Sequence, residues 1–468
     1  PQPFAKHANE VVPLRMEKSA GTGKQDFITV RLGKLFSARL ARRDENGAMI
    51  VKRGAINFGD PDDLQVIQSL QGALRKKDGV RLTGSLPVLS IQGWEGLAGS
   101  AGRSGPLLPI DTVSLSVEKL TGYGLAIDSL HIDAARRGEG LAAQLSSGML
   151  NGELVWQPHG YENGGKLSAR LRNLQWQDEE QAGQPSPATE TVEPAAQQKP
   201  GQLHPDKLPA LEFAIENLQV KGKHIGRLEL VGHPDGKDWR MRRLRITNPD
   251  GSLMGDGIWH ESAQSEVNLM LEISDAGKIL ARSGYPNTVK GGSGKLTANL
   301  SWAGTPDEFN YASLNGTLKL DTGKGRFVKM EPGVGKLLSI LSLQSLPKRI
   351  TLDFNDVFSE GFQFENINGN ASIRNGVLDS QDFHIDGSSA KVTLKGSVDL
   401  NNETQDLRVR ILPTLGDSVS LIGAFTAGPA VGIGALILNK VLGDPLDKLV
   451  SFEYNVSGTW SDPNVVKV

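Results

Sequence analysis

The sequence predicts a mainly β protein built from short antiparallel strands with a few helical interruptions, and three observations predict it. First, apolar residues recur at every second position. Leu296, Ala298, Leu300 and Trp302 alternate with Lys295, Thr297, Asn299 and Ser301; the rhythm returns at Val267, Leu269, Leu271 and Ile273, at Ile350, Leu352 and Phe354, and at Val392, Leu394, Val398 and Leu400. Successive strand side chains point to opposite faces, so each run has one apolar and one wet face. Second, turn signals fall between the runs after short gaps, at His233-Pro-Asp-Gly236, Asn248-Pro-Asp-Gly251 and Asp321-Thr-Gly323. Short gaps imply consecutive antiparallel pairing, a meander and not βαβ units. Third, 55 glycines supply the positive φ that many turns need.

Taken in order, residues 1–176 read as weakly alternating strands broken by Gly and Pro. A helix is expected at about 60–74, where Pro61 opens and Leu64, Ile67, Leu70 and Leu74 keep helical spacing. A strand resumes at Val113, Leu115 and Val117. Residues 177–210 are Pro-, Gln- and Glu-rich with almost no large apolar side chain, a loop or linker that cannot bury a core. Residues 211–330 hold strands at 211–215, 227–231, 239–246, 265–273, 294–302 and 314–320, the last carrying Leu318 and Leu320. Residues 331–468 open with an apolar helix at 334–346, followed by strands at 350–354, 361–364, 390–394, 396–400, 407–412 and 452–460. A second apolar segment, 418–442, interrupts them. It carries no charge over the 22 residues Ser418–Asn439, near the length of a membrane span. Pro429 breaks it, so it reads as two short helices, 418–426 and 431–442.

Charge is balanced, 51 basic against 53 acidic residues for a formal net charge of −2, so no global field draws in nucleic acid. Aromatic residues, at 6%, are too sparse for base-stacking platforms. With no cysteine, disulfide frameworks, thiolate metal sites and Cys nucleophiles are excluded. Motif by motif, catalysis finds no support. Gly291-Gly-Ser-Gly-Lys295 lacks the first glycine of a phosphate loop, where Val289 stands, and Leu296 replaces the magnesium-holding hydroxyl. Gly21-Thr-Gly-Lys24 fails in the same way, with Gln25 following. The eight histidines show no zinc spacing, and Gln264 stands where a partner for His260-Glu261 would be needed. There is no Gly-x-Ser-x-Gly elbow. The expectation is a non-enzyme with no cofactor and no metal. Arg240, Arg242, Arg243 and Arg245 read as a wet strand face or a contact for anionic lipid head groups. Alternation alone leaves open whether the apolar faces close into a sandwich core or remain as an uncovered surface.

From about residue 208 onward the chain resembles the AsmA-like family, and within it the YhdP branch. The resemblance is carried by Gly255-Asp-Gly-Ile-Trp259, by Gly284-Tyr-Pro286 with Gly291-Gly-Ser-Gly294 and Leu300-Ser-Trp302, by the block from Gly335 through Leu346-Pro-Lys-Arg349 into Leu352-Asp-Phe354, Asp356-Val-Phe358 and Gly361-Phe-Gln-Phe364, and by Ser457-Gly-Thr-Trp460 before Asp462-Pro463. It implies an elongated, curled antiparallel β-groove, open like a taco, in a large Gram-negative envelope protein that projects through the periplasm from the inner membrane. It further implies bridge-like transfer of phospholipid between inner and outer membranes, serving outer-membrane lipid homeostasis and the permeability barrier.

On that implication, Val267, Leu269, Leu271, Ile273, Leu296, Leu300, Leu318, Leu320, Ile350, Leu352, Phe354, Val392, Leu394, Val398 and Leu400 are the candidate groove lining. About 20 strands at roughly 4.8 Å spacing give on the order of 100 Å of groove. Leu421, Ile422, Phe425, Ile433, Leu436 and Ile437 are the candidate lid, or the contact with the outer membrane. The chain starts at Pro1, so the expected inner-membrane anchor would precede what is read here. The alternative readings are a periplasmic scaffold or assembly factor for outer-membrane proteins, whose exposed strand edges would template another chain, and a periplasmic hydrolase.

Overall fold

Alternation of the kind seen in the sequence folds into open sheets with one apolar side. The computed structural model describes residues 11–21, 24–45, 47–60, 78–90, 108–122, 125–161, 164–176, 204–306, 309–328, 362–414 and 451–468. The chain divides into two compact units, Pro1–Pro234 and Asp235–Val468.

In the first unit the strands are β1 (Leu14–Ala20), β2 (Gln25–Leu32), β3 (Phe36–Glu45), β4 (Ala48–Phe58), β5 (Gly79–Ser90), β6 (Ile110–Gly122), β7 (Leu125–Arg137), β8 (Gly140–Ser146), β9 (Leu150–Gln157), β10 (Lys166–Trp176), β11 (Ala210–Val220) and β12 (Lys223–Asp235). They pair in chain order. The antiparallel groove that the resemblance implies is not antiparallel throughout: β4/β5, β5/β6 and β10/β11 are parallel. The physical reason is connection length. A tight turn can only reverse a strand, whereas a parallel neighbour needs a long crossover. The three parallel steps are those across residues 59–78, 91–109 and 177–209. The helix expected at 60–74 and the linker stretch 177–203 lie outside the described residues.

One line of register shows how this unit builds its core. Phe58, Gly84, Leu115, Ile132, Leu145, Gly152, Leu171, Ile215 and Leu228 stand side by side from β4 to β12. Phe58, Leu115, Leu171 and Ile215 of this line are buried and the rest half-buried, with Val80, Val117, Ile127 and Leu130 among the face's most enclosed side chains. Gly84 is required here: its φ is +117°, and a Cβ would run into the Phe58 carbonyl.

At the start of the sheet Asp26 is buried and bound by Arg42, whose Nε and Nη2 donate to its two oxygens at 3.0 and 2.8 Å, with Lys18 at 3.3 Å. The Arg42 hydrogen bond, helped by Lys18, holds the Asp26 carboxyl below its ordinary value. A carboxyl with a depressed folded-state pKa contributes stability above its unfolded value, near 3.8, and that contribution is lost as pH falls through the lower folded value. The melting temperature of the parent should therefore fall more steeply below pH 4 than that of Asp26→Asn. Parallel acid titrations followed by circular dichroism check this.

The second unit contains β13 (Asp238–Asn248), β14 (Gly251–Trp259), β15 (Gln264–Ile273), helix α1 (Ala276–Arg282), β16 (Val289–Gly291), β17 (Gly294–Ala303), β18 (Asn315–Thr322), β19 (Gly325–Phe327), β20 (Phe362–Arg374), β21 (Val377–Gly387), β22 (Ala390–Asp399), β23 (Thr404–Pro413), β24 (Phe452–Thr459) and β25 (Pro463–Lys467). Its main sheet runs β13-β14-β15-β17-β18-β20-β21-β22-β23-β24-β25, antiparallel throughout. The short β19 adds to the first residues of β20, and β16 adds to β19. Among the described residues β25 pairs only with β24, and the sheet ends there as an open edge.

Several expectations need correction. The two strands predicted at 390–394 and 396–400 are one strand, β22, and Leu400 lies just past its end. The strand at 361–364 continues to Arg374. Helix α1 is not signalled by the sequence; Asp275 caps it by accepting from the Lys278 N–H at 3.1 Å, and Arg282 ties it to the buried Asp250. The strand at 350–354 and the apolar helices at 334–346 and 418–442 lie outside the described residues. Among the described residues, no helix is long and apolar enough to cross a membrane.

Candidate functional site

Strand register decides which of the predicted side chains share a surface. In the second unit, Ile246, Leu253, Leu271, Leu296 and Leu320 form one line across β13, β14, β15, β17 and β18. The next line is Leu244, Gly255, Leu269, Ala298 and Leu318, and beyond it come Gly257, Val267, Leu300 and Gly316. Ile273 lies on the same face at the other margin, between Gly251 and Gly294. The opposite face carries Glu272, Lys295 and Asp321 in one line, and Asp256, Asn268, Asn299 and Thr317 in another. A shallow hollow of about 560 Å³ on that wet side is bordered by Thr297, Asn299, Thr317, Asn370 and Gln381.

Burial divides the apolar face into two parts. Over β13–β18 the side chains of Leu244, Ile246, Leu253, Val267, Leu269, Leu271, Ile273, Leu296, Leu300, Leu318 and Leu320 are all half-buried. Over β20–β24 the equivalent positions are closed: Ile367, Ile385, Val392, Leu394, Val398, Leu407, Val409, Ile411 and Tyr454 are buried in one cluster with Phe362, Phe364 and Trp460, and Ile373 is buried in a second with Trp302 and Leu314. Of the predicted lining residues, the eight on β15, β17 and β18 thus occupy the half-uncovered part. Val392, Leu394 and Val398 sit in the packed part, and Leu400 packs against it from the turn. Ile350, Leu352, Phe354, Leu421, Ile422, Phe425, Ile433, Leu436 and Ile437 lie outside the described residues.

The open part has distinct margins. Along one, Trp239 and Trp259 are cross-strand partners, and Ser265 separates Trp259 from Trp302; all three indoles are buried. Trp302 donates its N–H to the Thr305 carbonyl at 3.1 Å, while the Trp259 N–H is buried without an acceptor. Phe309 and Tyr311 extend this margin outward, ring to ring at 5.0 Å, and both are exposed. Along the other margin lies α1, whose Ile279 reaches over Gly251.

Leu244, Ile246 and Leu253 share this half-buried apolar face, and periodicity did not single them out. A bulge at Arg242 and Arg243 shifts the phase of β13, and glycines stand for side chains at Gly251, Gly255 and Gly257 of β14, so neither strand alternates cleanly.

The carboxylates of this unit with shifted titration serve turns and a strand bulge. Asn402 and Asn401 hold the Asp399 carboxyl below its ordinary value, and Asn370 does the same for Asp382. The Glu261 backbone N–H, with His260, lowers Asp238. Each of these carboxylates is stabilised in its charged form, the opposite of what a general acid requires. Among the described residues no group of three or more His, Asp or Glu side chains is placed to hold a metal ion.

An open antiparallel sheet whose apolar face is covered over one part and half-uncovered over the other defines a mainly β protein with a partly uncovered apolar surface. The comparisons place it more narrowly. A family model described as YhdP protein matches residues 1–465, and the chain belongs to that family. It is similar to the intermembrane phospholipid transporter YhdP of Escherichia coli (strain K12), 30% identical over 251 residues, which cover 53% of this chain and 20% of that relative. No solved structure matches the chain.

Proposed function

We propose that this chain is a non-enzymatic segment of a periplasmic phospholipid carrier, holding acyl chains on the apolar face of β13–β18 while head groups remain in water. In this reading the full-length protein is anchored in the inner membrane and passes lipid between the inner and outer membranes. The observation that carries the proposal is the set of large apolar side chains, in register over five adjacent strands, that the chain's own packing leaves half-buried. The E. coli relative's description as a phospholipid transporter supports the identity of the cargo.

The energetics suit carriage without chemistry. Each CH₂ taken out of water gains about 0.8 kcal/mol, so a two-tailed lipid is strongly retained. Moving from the line of Leu269 to that of Leu271 exchanges apolar contacts for similar ones, so sliding changes the energy little. The proposal predicts that the chain purified from bacterial cells carries phospholipid. Native mass spectrometry should show protein heavier by the mass of one or more diacyl lipids, releasable by organic extraction. Protein free of lipid after purification without detergent would defeat the reading and favour a scaffold.

A further inference from the structure

On the side of the first unit's sheet that faces away from its core, Ser37 and Arg39 of β3, Arg53, Ala55 and Asn57 of β4, and Arg81 and Thr83 of β5 form one patch. Register sets Arg39 beside Ala55 and Ala55 beside Arg81, with Arg53 two residues before Ala55 on the same strand. Three arginines therefore flank Ala55 on one face of the sheet, and all three are half-buried. Among the described residues none of them has an ion-pair partner. Arg39 lies against the Phe27 ring, 5.9 Å from its centroid. Its Nε and the neighbouring Ser37 Oγ are both buried with no hydrogen-bond partner. Thr83 completes the patch, its hydroxyl donating to Asn57 Oδ1 at 3.1 Å.

Among the described residues, such a patch leaves the Arg39 Nε–H and the Ser37 hydroxyl without acceptors and its three guanidinium groups without an ion-paired negative charge. A guanidinium cannot shed its proton, and like charges held together at a partly buried site repel. Buried polar groups without partners are rare enough to need an explanation, and here two donors two residues apart share the same deficiency. A tetrahedral oxyanion would supply both: its oxygens match the forked N–H pairs of arginine and can also accept from a serine hydroxyl.

We propose that Arg39, Arg53, Arg81 and Ser37 form a binding site for a phosphate group, either of free phosphate or of a phosphate-bearing lipid head group. The site is on β3–β5 of the first unit.

The test follows the arginine Nε–H signals of the ¹⁵N-labelled chain during titration with sodium phosphate against equal ionic strength of sodium chloride. In parallel, flotation is measured with phosphatidylcholine vesicles with and without phosphatidic acid. A saturable shift of the Arg39 signal by phosphate, weakened at least tenfold in Arg39→Gln and Arg81→Gln proteins that melt like the parent, establishes the site for free phosphate. Flotation confined to phosphatidic acid vesicles, and lost in both variants, assigns it to a head group. If the parent responds to neither probe, or both variants bind as the parent does, the proposal is overturned. The parent titration alone decides should a variant unfold.

Discussion

Leu296→Asp is expected to strip lipid from the second unit while leaving its sheet folded. Leu296 stands between Leu271 and Leu320 in the middle of the half-uncovered face, and none of the three is fully buried. In the lipid-free state a carboxylate there keeps contact with water, so folding loses only the partial apolar burial of one leucine, on the order of 1 kcal/mol. With an acyl chain laid along the line, the same carboxylate must be desolvated against hydrocarbon. An ionised group then faces a cost of several kcal/mol with no partner to offset it, and it sits across the path of any lipid moving along the sheet. The expected result is at least a tenfold drop in co-purified phospholipid by native mass spectrometry, with the melting transition shifted by only a few degrees. Equal lipid content in parent and variant would show that cargo, if any, is held elsewhere.

How much of this could be read from the sequence depended on phase. β15 and β17 alternate without interruption, and the residues of their apolar face were legible directly. Where a bulge changes the phase, legibility failed. β21 carries Leu378 on the apolar side, then a register shift, then Phe383 and Ile385, so no continuous period exists along it. β20 shifts similarly between Phe364 and Asn366, so only its first residues read as a strand. The hairpin joining these two strands turns at Asn375-Gly376, both with positive φ. The parallel pairings in the first unit were illegible for a different reason. Alternation reports which side of a strand is apolar, but not which neighbour it meets or in which direction. Periodicity also could not separate the two halves of the second unit's apolar face. Leu296 and Val392 occupy equivalent places in equally regular strands, yet one is half-buried and the other enclosed. The difference lies in their neighbours: Val392 shares a packed cluster with Phe362, Phe364, Phe383 and Trp460, whereas Leu296 belongs to none.

That difference has a measurable thermodynamic consequence. Ile411 is 2% exposed, flanked by Val392 and Phe452 in the enclosed cluster. Truncation to alanine removes three carbons from a site that cannot fill with water, at a cost of about 2–5 kcal/mol. For a unit of this size that corresponds to a fall in melting temperature on the order of 10 °C. Leu296→Ala removes a similar volume from a surface already in contact with solvent, and should cost about 1 kcal/mol or less. Lipid occupancy should rank the two the other way: Ile411→Ala keeps its phospholipid, and Leu296→Ala holds less. Thermal melts and lipid extraction on the same preparations read both quantities. Crossed responses fit a sheet in which one part supplies the stability and the other the apolar bed. Equal destabilisation by both truncations would mean that the face over β13–β18 is as closely packed as the rest, leaving acyl chains no surface to lie on.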